Sequence, residues 1–373
     1  MRVPEARSSP SLRAMALAVA TIWNIAGATI WTSTAYGQTP FDARNPLAQL
    51  AKCALGEEEV RSAIVRDVPS QFSNIPGEVI NTPQNSVTGG APTPALWFGD
   101  TVSIAPTNRN GLCSGVHVGG DAVLTAGHCI CDFDLAKLPA KVKFQLRDDE
   151  QPMDTDPKRT VMLDPEACKR SIQPGHDLAI LFINKMFAKK PELLNYGARP
   201  AIPADGNPMV PSRTILAIEN TTRATIPPRF TPAIIASREA LFSGRHDRML
   251  VVGYGIDETG RAGLKRQACV TVLSGMCGGE GDAHRFGCAP GSELVLADSA
   301  QHADTCNGDS GGAVYTVVRD QGLYYYHLAA ITSRGFAGSR CGAGGIYTLI
   351  TPSIVAWMRR HGVPIASYPY PGQ

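Results

Sequence analysis

The sequence has few charged residues and no excess of charge of either sign. Charged side chains make up 18% of the 373 residues, below the usual ~25%, which argues against a disordered chain, a coiled coil or a solvated helical bundle. The formal net charge of +2 gives no electrostatic reason to expect a nucleic acid or an acidic membrane surface as a partner. Repeats, heptads and a phosphate-binding glycine loop are also missing from the sequence.

Turn-forming residues and cysteines are abundant instead. The 37 glycines and 28 prolines exceed the average share of roughly 12% and favour a loop-rich, strand-rich globule. Ten cysteines are typical of a compartment in which disulfides persist. At roughly 100–200 residues per domain, the length allows one large or two ordinary domains.

The amino terminus predicts export. Basic residues precede an apolar run over residues 14–30, and small residues follow, ending at Gly37. This is the layout of a secretory signal peptide at residues 1–37. The alternative is a membrane anchor, but the run of about 17 residues is short for spanning, contains Asn24 and has no basic cluster after it. We therefore expect a secreted or periplasmic protein with no membrane contact once the signal is removed.

The segment after the signal differs from the rest of the chain. Residues 38–86 contain one amphipathic stretch, Leu47–Val65, and then a linker rich in Pro, Ser and Asn, which together predict a small pro-segment. In residues 87–373, short runs of Val, Ile, Thr and Ala alternate with turns, a pattern typical of barrels or sandwiches. A proline-dense stretch predicts an irregular insertion at about 200–248, and a helix is predicted to begin at Thr351.

Three segments carry residues suited to catalysis. A strand delivers His128 in the first, Asp177 stands at the mouth of an apolar strand in the second, and glycines flank Ser310 in the third. The segments are Leu124-Thr125-Ala126-Gly127-His128-Cys129, Gly175-His176-Asp177-Leu178-Ala179-Ile180-Leu181 and Asp304-Thr305-Cys306-Asn307-Gly308-Asp309-Ser310-Gly311-Gly312. Each alone has a simple explanation, such as a turn aspartate or a flexible loop. Together they supply the base, the orienting carboxylate, the nucleophile and the oxyanion site that acyl transfer needs.

At these motifs the sequence resembles the trypsin/chymotrypsin family of serine proteases, from about Val87 to Arg360. The resemblance implies an all-β fold of two six-stranded antiparallel β-barrels with a carboxy-terminal helix and an active site between the barrels. It implies that His128 is the general base, that Asp177 holds its tautomer and that Ser310 is the nucleophile. The N–H groups of Gly308 and Ser310 would form the oxyanion hole. His176 is an alternative base whose context matches the family less well.

The resemblance also implies a specificity pocket. Asp304 lies six residues before the nucleophile, at the position where the trypsin branch pairs a buried carboxylate with Arg or Lys. The pocket walls would include Ser333, Gly335 and Gly345. The alternative is that Asp304 is a turn residue. Arg334 departs from the aromatic residue usual in the family, and its guanidinium could repel the target cation or reach acidic groups further along the substrate.

Maturation is implied in the same way. Val87-Thr88-Gly89-Gly90 resembles the family's mature start, whose freed amino group pairs with the Asp that precedes the nucleophile, here Asp309. The implied cut follows Ser86, which is not basic. Either another protease acts there, or the site assembles differently, or the two glycines are only a linker.

Three disulfides carry over from the family: Cys113–Cys129, Cys277–Cys288 and Cys306–Cys341. Of the three pairings open to the remaining four cysteines, we prefer Cys131–Cys168, which leaves Cys53–Cys269 to tether the pro-segment. No cofactor and no metal are expected.

The sequence therefore predicts a secreted serine endopeptidase, made as a zymogen, that cleaves protein or peptide substrates after Arg or Lys. The alternative is a silent or narrowly specific homologue that acts as a binding module.

Overall fold

The computed structural model describes the greater part of the strand-rich region and a short piece of the predicted pro-segment. The described residues are 45–54, 87, 90–94, 97–144, 151–170, 173–184, 201–203, 233, 235–236, 247–256, 261–297, 304–320, 323–335 and 341–365. The predicted signal peptide, the linker before Val87 and most of the predicted insertion lie outside these residues. Among the helices of the described part, none has the length and apolar character needed to cross a membrane.

The described residues form fifteen strands and four α-helices. The strands are β1 (Ala91–Pro92), β2 (Thr101–Pro106), β3 (Cys113–Gly119), β4 (Ala122–Thr125), β5 (Ala140–Lys143), β6 (Met153–Asp154), β7 (Val161–Met162), β8 (Ala179–Phe182), β9 (Ala201–Pro203), β10 (Arg248–Gly253), β11 (Arg266–Ser274), β12 (Glu293–Ala297), β13 (Ala313–Asp320), β14 (Leu323–Gly335) and β15 (Gly345–Leu349). The helices are α1 (Pro46–Ala54), α2 (Gly127–Phe133), α3 (Asp282–Phe286) and α4 (Pro352–Arg360).

The carboxy-terminal sheet closes into a six-stranded antiparallel barrel. Its strands follow the order β11-β10-β13-β14-β15-β12, and a further pairing of β12 with β11 completes the circle. Successive residues of β10 alternate between two apolar cores. Met249 and Val251 belong to one cluster and Leu250 and Val252 to another, because neighbouring side chains of a strand point to opposite faces. The continuous apolar run of β10 therefore reflects burial of the strand on both faces.

The amino-terminal sheet curls into a half-barrel of seven short strands in the order β6-β5-β2-β3-β4-β8-β7. A bridge between Thr155 and Ile183 joins the ends of β6 and β8. The all-β fold expected from the sequence, with two barrel-forming sheets and a carboxy-terminal helix, is confirmed. One barrel is closed and the other is curled, and the two outermost strands of the curled sheet, β6 and β7, are only two residues long.

A buried polar network lies between the two sheets. Tyr315 of β13 donates its hydroxyl to Asp100 Oδ2 at 2.8 Å, just before β2. Burial raises the pKa of Asp100 to about 6, against the opposing effect of the Tyr315 hydrogen bond. Lys265 donates its ammonium to the carbonyl oxygens of Trp97 and Phe98 at 3.2 and 3.0 Å. Because these groups are desolvated, their hydrogen bonds fix how the two sheets meet.

Helix α1 is packed into the wall of the second barrel. Leu47 and Leu50 are buried in the core shared by both sheets, and Cys53 forms a disulfide with Cys269 of β11. Gln49 accepts a hydrogen bond from the Cys269 N–H at 2.8 Å, on the part of β11 between its pairings with β1 and β12. The side chain thus satisfies a backbone donor that no strand reaches.

Helix α4 follows the usual rules for helix ends. Thr351 caps it by accepting a hydrogen bond from the Ile354 N–H at 3.4 Å, and Pro352 occupies the first turn, where its missing N–H is not needed. Trp357 and Met358 face the shared core. Gly362 ends the helix with a φ of 77°, which glycine adopts without steric cost.

Candidate active site

A cleft of about 710 Å³ is lined by residues of both sheets. The first sheet contributes His128 and Asp177, and the second contributes Ser310 and the wall Ser333–Gly335. These residues are distant in sequence, so the packing of the two sheets creates the cleft.

Strand pairing brings His128 and Asp177 together. Strands β4 and β8 are neighbours, and Thr125 lies opposite Ala179, so the residues just after β4 and just before β8 meet at one edge of the sheet. The His128 backbone N–H donates to Asp177 Oδ1 at 2.9 Å, and His128 Nδ1 lies 2.9 Å from Oδ2. The carboxylate therefore holds His128 at two points, the backbone N–H and the imidazole Nδ1, and the Nδ1 hydrogen bond leaves Nε2 as the proton acceptor.

Each partner of this pair alters the protonation of the other. Burial by itself would lower the pKa of His128, but the hydrogen bond and the charge of Asp177 outweigh burial and raise that pKa. Burial would likewise raise the pKa of Asp177, but His128 and the Ser333 hydroxyl lower it below its ordinary value. Asp177 is thus held as a carboxylate that favours the imidazolium form.

Ser333 contacts this carboxylate directly. Its hydroxyl donates to Asp177 Oδ2 at 2.6 Å, although Ser333 belongs to β14 of the other barrel. The sequence predicted Ser333 only as a wall of the substrate pocket. In the structure it lines the cleft and is also a third hydrogen-bond donor to Asp177.

Ser310 stands on a sharply turned loop. The N–H groups of Asp309, Gly311 and Gly312 donate to backbone carbonyls, whereas those of Gly308 and Ser310 meet no acceptor within the described part of the chain. Gly308 has a φ of 92°, and Ser114 fixes the loop by donating its hydroxyl to Gly308 O at 2.9 Å. The N–H groups on either side of Asp309 thus lack an acceptor among the described residues, and two such donors beside a serine hydroxyl are suited to bind a developing oxyanion.

Asp309 points away from the cleft into a cradle of glycines. Its carboxylate accepts N–H bonds from Gly255 at 2.7 Å and Cys306 at 2.8 Å, and the N–H of buried Val87 also bonds to it. Burial raises the pKa of Asp309 to about 6, and these hydrogen bonds oppose the rise. A Cβ at Gly253 would overlap Asp309 Oδ1, and one at Gly255 would lie 2.6 Å from Oδ2. The side chain therefore fits only because both neighbours lack a Cβ.

Asp304 is a buried carboxylate that does not itself line the cleft, although Thr305 and Gly344, which contact it, do. It is 1% exposed, and it accepts hydrogen bonds from the Tyr347 hydroxyl at 2.6 Å and the Gly344 N–H at 2.9 Å. Burial raises its pKa to about 6, although the Tyr347 hydrogen bond opposes the rise. Gly335 and Gly345 are paired across β14 and β15. Gly335 lines the cleft, whereas a Cβ at Gly345 would lie 2.8 Å from the Tyr347 hydroxyl oxygen.

The remaining predicted residues can also be located. All five disulfides expected from the sequence are formed: Cys53–Cys269, Cys113–Cys129, Cys131–Cys168, Cys277–Cys288 and Cys306–Cys341. Of these, Cys131–Cys168 and Cys306–Cys341 line the cleft.

His176, the alternative base, is exposed. Its Nδ1 lies 3.3 Å from the carbonyl oxygen of Pro174. The Asp177 carboxylate is hydrogen-bonded to His128 and not to His176.

Sequence reasoning missed two residues that hold the site. Ser114 carries no local signal, since a serine in a strand is ordinary. Glu293 did carry one: it is a carboxylate at the start of the apolar run Glu293-Leu294-Val295-Leu296-Ala297, the same pattern that singled out Asp177. In the structure Glu293 is fully buried and paired with Arg334.

Two barrel-forming β-sheets with a histidine, an aspartate and a serine at their shared cleft define the class of chymotrypsin-like proteins. Residues 87–358 match the family model described as Trypsin, and because the match covers most of the chain, this protein belongs to the trypsin family. Membership implies a serine protease hydrolase whose substrates are proteins or peptides. Members with several disulfides are typically extracellular. A comparison with curated proteins found no match.

The glycine cradle generates a stability prediction. Gly253→Ala should lower the free energy of unfolding by about 3 kcal/mol, because the added Cβ displaces Asp309 from its hydrogen bonds. Chemical denaturation with the disulfides intact measures the change. Gly278→Ala is the control, since its Cβ would make an ordinary 3.4 Å contact and should alter stability by no more than about 0.5 kcal/mol. Equal stabilities of the two variants would contradict the cradle.

Proposed function

We propose that the protein is a secreted serine endopeptidase that hydrolyses peptide bonds after Arg or Lys through an acyl-enzyme and is made as a zymogen. The observation that carries the proposal is the His128–Asp177 pair, joined by two hydrogen bonds of 2.9 Å and facing a cleft that also contains Ser310.

In the proposed reaction, His128 Nε2 takes the proton of the Ser310 hydroxyl while Oγ attacks the substrate carbonyl carbon. The N–H groups of Gly308 and Ser310 stabilise the oxyanion of the tetrahedral intermediate. His128 then gives the proton to the leaving amine, and the acyl-enzyme remains. Water repeats the sequence, with His128 as base and Ser310 as leaving group. Asp177 stays ionised throughout, which is consistent with its lowered pKa.

Cleavage after Arg or Lys is supported by the surroundings of Asp304. A buried carboxylate with only neutral hydrogen-bond donors around it favours a cationic side chain strongly, because an uncharged residue would leave it unpaired. The donors are Tyr347 and Gly344. Gly335 lines the cleft without a side chain that would obstruct a long substrate residue.

The zymogen proposal rests on Val87. Its side chain is fully buried, and its N–H bonds to Asp309 while the chain is still continuous. A cut after Ser86 would turn this neutral donor into an ammonium group and give the buried carboxylate an ion-pair partner. Asp309 shares its loop with Gly308 and Ser310, so the stronger bond would stabilise the oxyanion site.

Labelling of Ser310 tests the catalytic proposal. An active-site phosphonylating reagent should modify Ser310 of the mature protein, because His128 increases the nucleophilicity of its hydroxyl, and mass spectrometry locates the label. His128→Ala should slow labelling by at least about a hundredfold. Ser114→Ala cannot serve as the control variant, because Ser114 holds the loop that carries Ser310. The control is instead a second serine of the same protein: Ser353, which is exposed on α4, should remain unlabelled. Absence of label on Ser310 would favour the binding-module alternative.

Substitution of Asp304 tests the specificity. Asp304→Ser should reduce kcat/KM for Arg and Lys peptides by roughly 10²–10³-fold, because the substrate cation loses its buried partner. Asp247→Ser, which removes an exposed carboxylate, is the matched control and should not change it. In the wild-type protein, binding of benzamidine should weaken as the pH falls below about 6, the pKa of Asp304, because only the ionised form attracts the cation. Unchanged cleavage by Asp304→Ser would remove the pocket assignment.

Maturation has its own test. Sequencing of the exported protein should begin at Val87, together with a second amino terminus from the chain that contains Cys53. On a denaturing gel the two chains should migrate together without reductant and separate with it, because the disulfide Cys53–Cys269 joins them. In the double variant Cys53→Ala/Cys269→Ala they should separate in both conditions. Full activity in a protein that starts elsewhere would rule out a role for the Val87 amino group.

A further inference from the structure

Glu293 is a buried carboxylate for which the proposed mechanism has no use. It begins β12 and is 0% exposed. An ionised carboxylate removed from water costs several kcal/mol unless it is paired and hydrogen-bonded. Glu293 has such partners, and they come from both barrels.

From the second barrel, Arg334 forms a two-point ion pair with Glu293. Its Nη1 and Nη2 atoms lie 2.6 and 2.9 Å from the two carboxylate oxygens. The same nitrogens donate to Ser333 Oγ at 3.3 Å and to Gly287 O at 2.9 Å. All four Nη hydrogens of Arg334 therefore have acceptors, and Glu293 balances its charge. This arrangement supports neither repulsion of a substrate cation nor capture of an acidic substrate group, the two roles the sequence left open for Arg334.

From the first barrel, Gly175 donates its N–H to Glu293 Oε1 at 2.7 Å. Gly175 lies two residues before Asp177 and has a φ of 79°. A Cβ at this position would overlap the Ser292 hydroxyl, so the segment approaches the start of β12 as closely as only glycine allows. The Ala289 N–H donates to Oε2 at 2.7 Å and holds the carboxylate from the other side.

Two series of contacts thus run from Glu293 to Asp177. One passes through Gly175 and two peptide units of the same segment. The other passes through Arg334 to Ser333, whose hydroxyl donates to Asp177 Oδ2. The two series of contacts reach the Asp177 carboxylate from different barrels. A shift of one barrel against the other would therefore move Asp177 relative to His128.

We propose that Glu293 is a positioning residue for catalysis, which joins the Gly175–Asp177 segment to the Ser333–Arg334 wall and so orients Asp177 on His128. This inference rests on the proposed serine protease function. Glu293 touches neither substrate nor the reacting atoms; it acts through Asp177. The charged partner is Arg334 because a planar guanidinium can bond a carboxylate at two points and reach further acceptors, which lysine cannot do.

Glu293→Gln in the mature two-chain protein tests the proposal. The amide keeps the length of the side chain and one acceptor oxygen, but its NH2 group opposes the donors of Arg334 and Ala289. On a single-residue arginine ester, kcat should fall about tenfold, or about 1.4 kcal/mol, with KM changed less than about threefold. The acid limb of kcat/KM should move to lower pH, because a displaced Asp177 raises the pKa of His128 less. A merely structural role would leave this limb in place.

Matched variants separate positioning from general loss of stability. Val142→Ala removes buried methyl groups from the core of the amino-terminal barrel, outside the cleft, and should lower stability while kcat and the acid limb stay as in the wild type. Arg334→Lys keeps a cation beside the buried carboxylate but loses the two-point bond, and so serves if Glu293→Gln does not fold. It should shift kcat and the acid limb in the same direction as Glu293→Gln.

The outcomes distinguish this inference from the proposed function. A wild-type protein that neither labels at Ser310 nor cleaves the ester overturns both. An active wild type with kcat and acid limb unchanged in Glu293→Gln and Arg334→Lys overturns the positioning role alone. Equal shifts in Val142→Ala would also overturn it, since they would trace the effect to barrel stability.

Discussion

The cleft depends on a single constraint, which is that a buried carboxylate must be given hydrogen-bond donors. Four such carboxylates surround it: Asp177, Glu293, Asp304 and Asp309. Each receives its donors from segments far apart in the chain, and each therefore ties those segments together. Asp177 is held by His128 and Ser333, and Asp309 by Gly255 and Cys306. Asp177 and Glu293 take donors from both barrels and hold their loops in one geometry, whereas Asp304 and Asp309 tie together segments beside the carboxy-terminal barrel. Asp177 is also proposed to orient the base, and Asp304 to bind the substrate cation.

The barrels supply the rigid frame that these contacts need. Strands such as β10 are buried on both faces because one face fills the barrel and the other fills the core shared with the amino-terminal sheet. Fully burying a Leu or Val side chain contributes roughly 1.5–3 kcal/mol, so an apolar frame can offset the cost of a few buried charges. Disulfides at Cys131–Cys168 and Cys306–Cys341 brace loops beside the cleft, and helix α1 is held to the second barrel by packing and by Cys53–Cys269.

Much of the fold was predictable from local patterns. Alternating short apolar runs and turns indicated a β protein, and Thr351-Pro352-Ser353 indicated the start of α4, because strand periodicity and helix capping are local properties. Which sheet closes was not predictable. Closure depends on the pairing of β11 with β12, a contact between strands whose separation in space no local pattern encodes.

The same division applies to the site. The sequence by itself determined the candidate residues His128, Asp177, Ser310 and Asp304, because each lies in a short motif whose residue types suit one chemistry. Only the tertiary structure decided that the Ser333 hydroxyl reaches Asp177, that Tyr347 bonds to Asp304, and that Glu293 joins Gly175 to Arg334. The physical reason is that a motif specifies chemical groups along the chain, whereas the donors of a buried charge are chosen by which segments the packing of two barrels brings within about 3 Å.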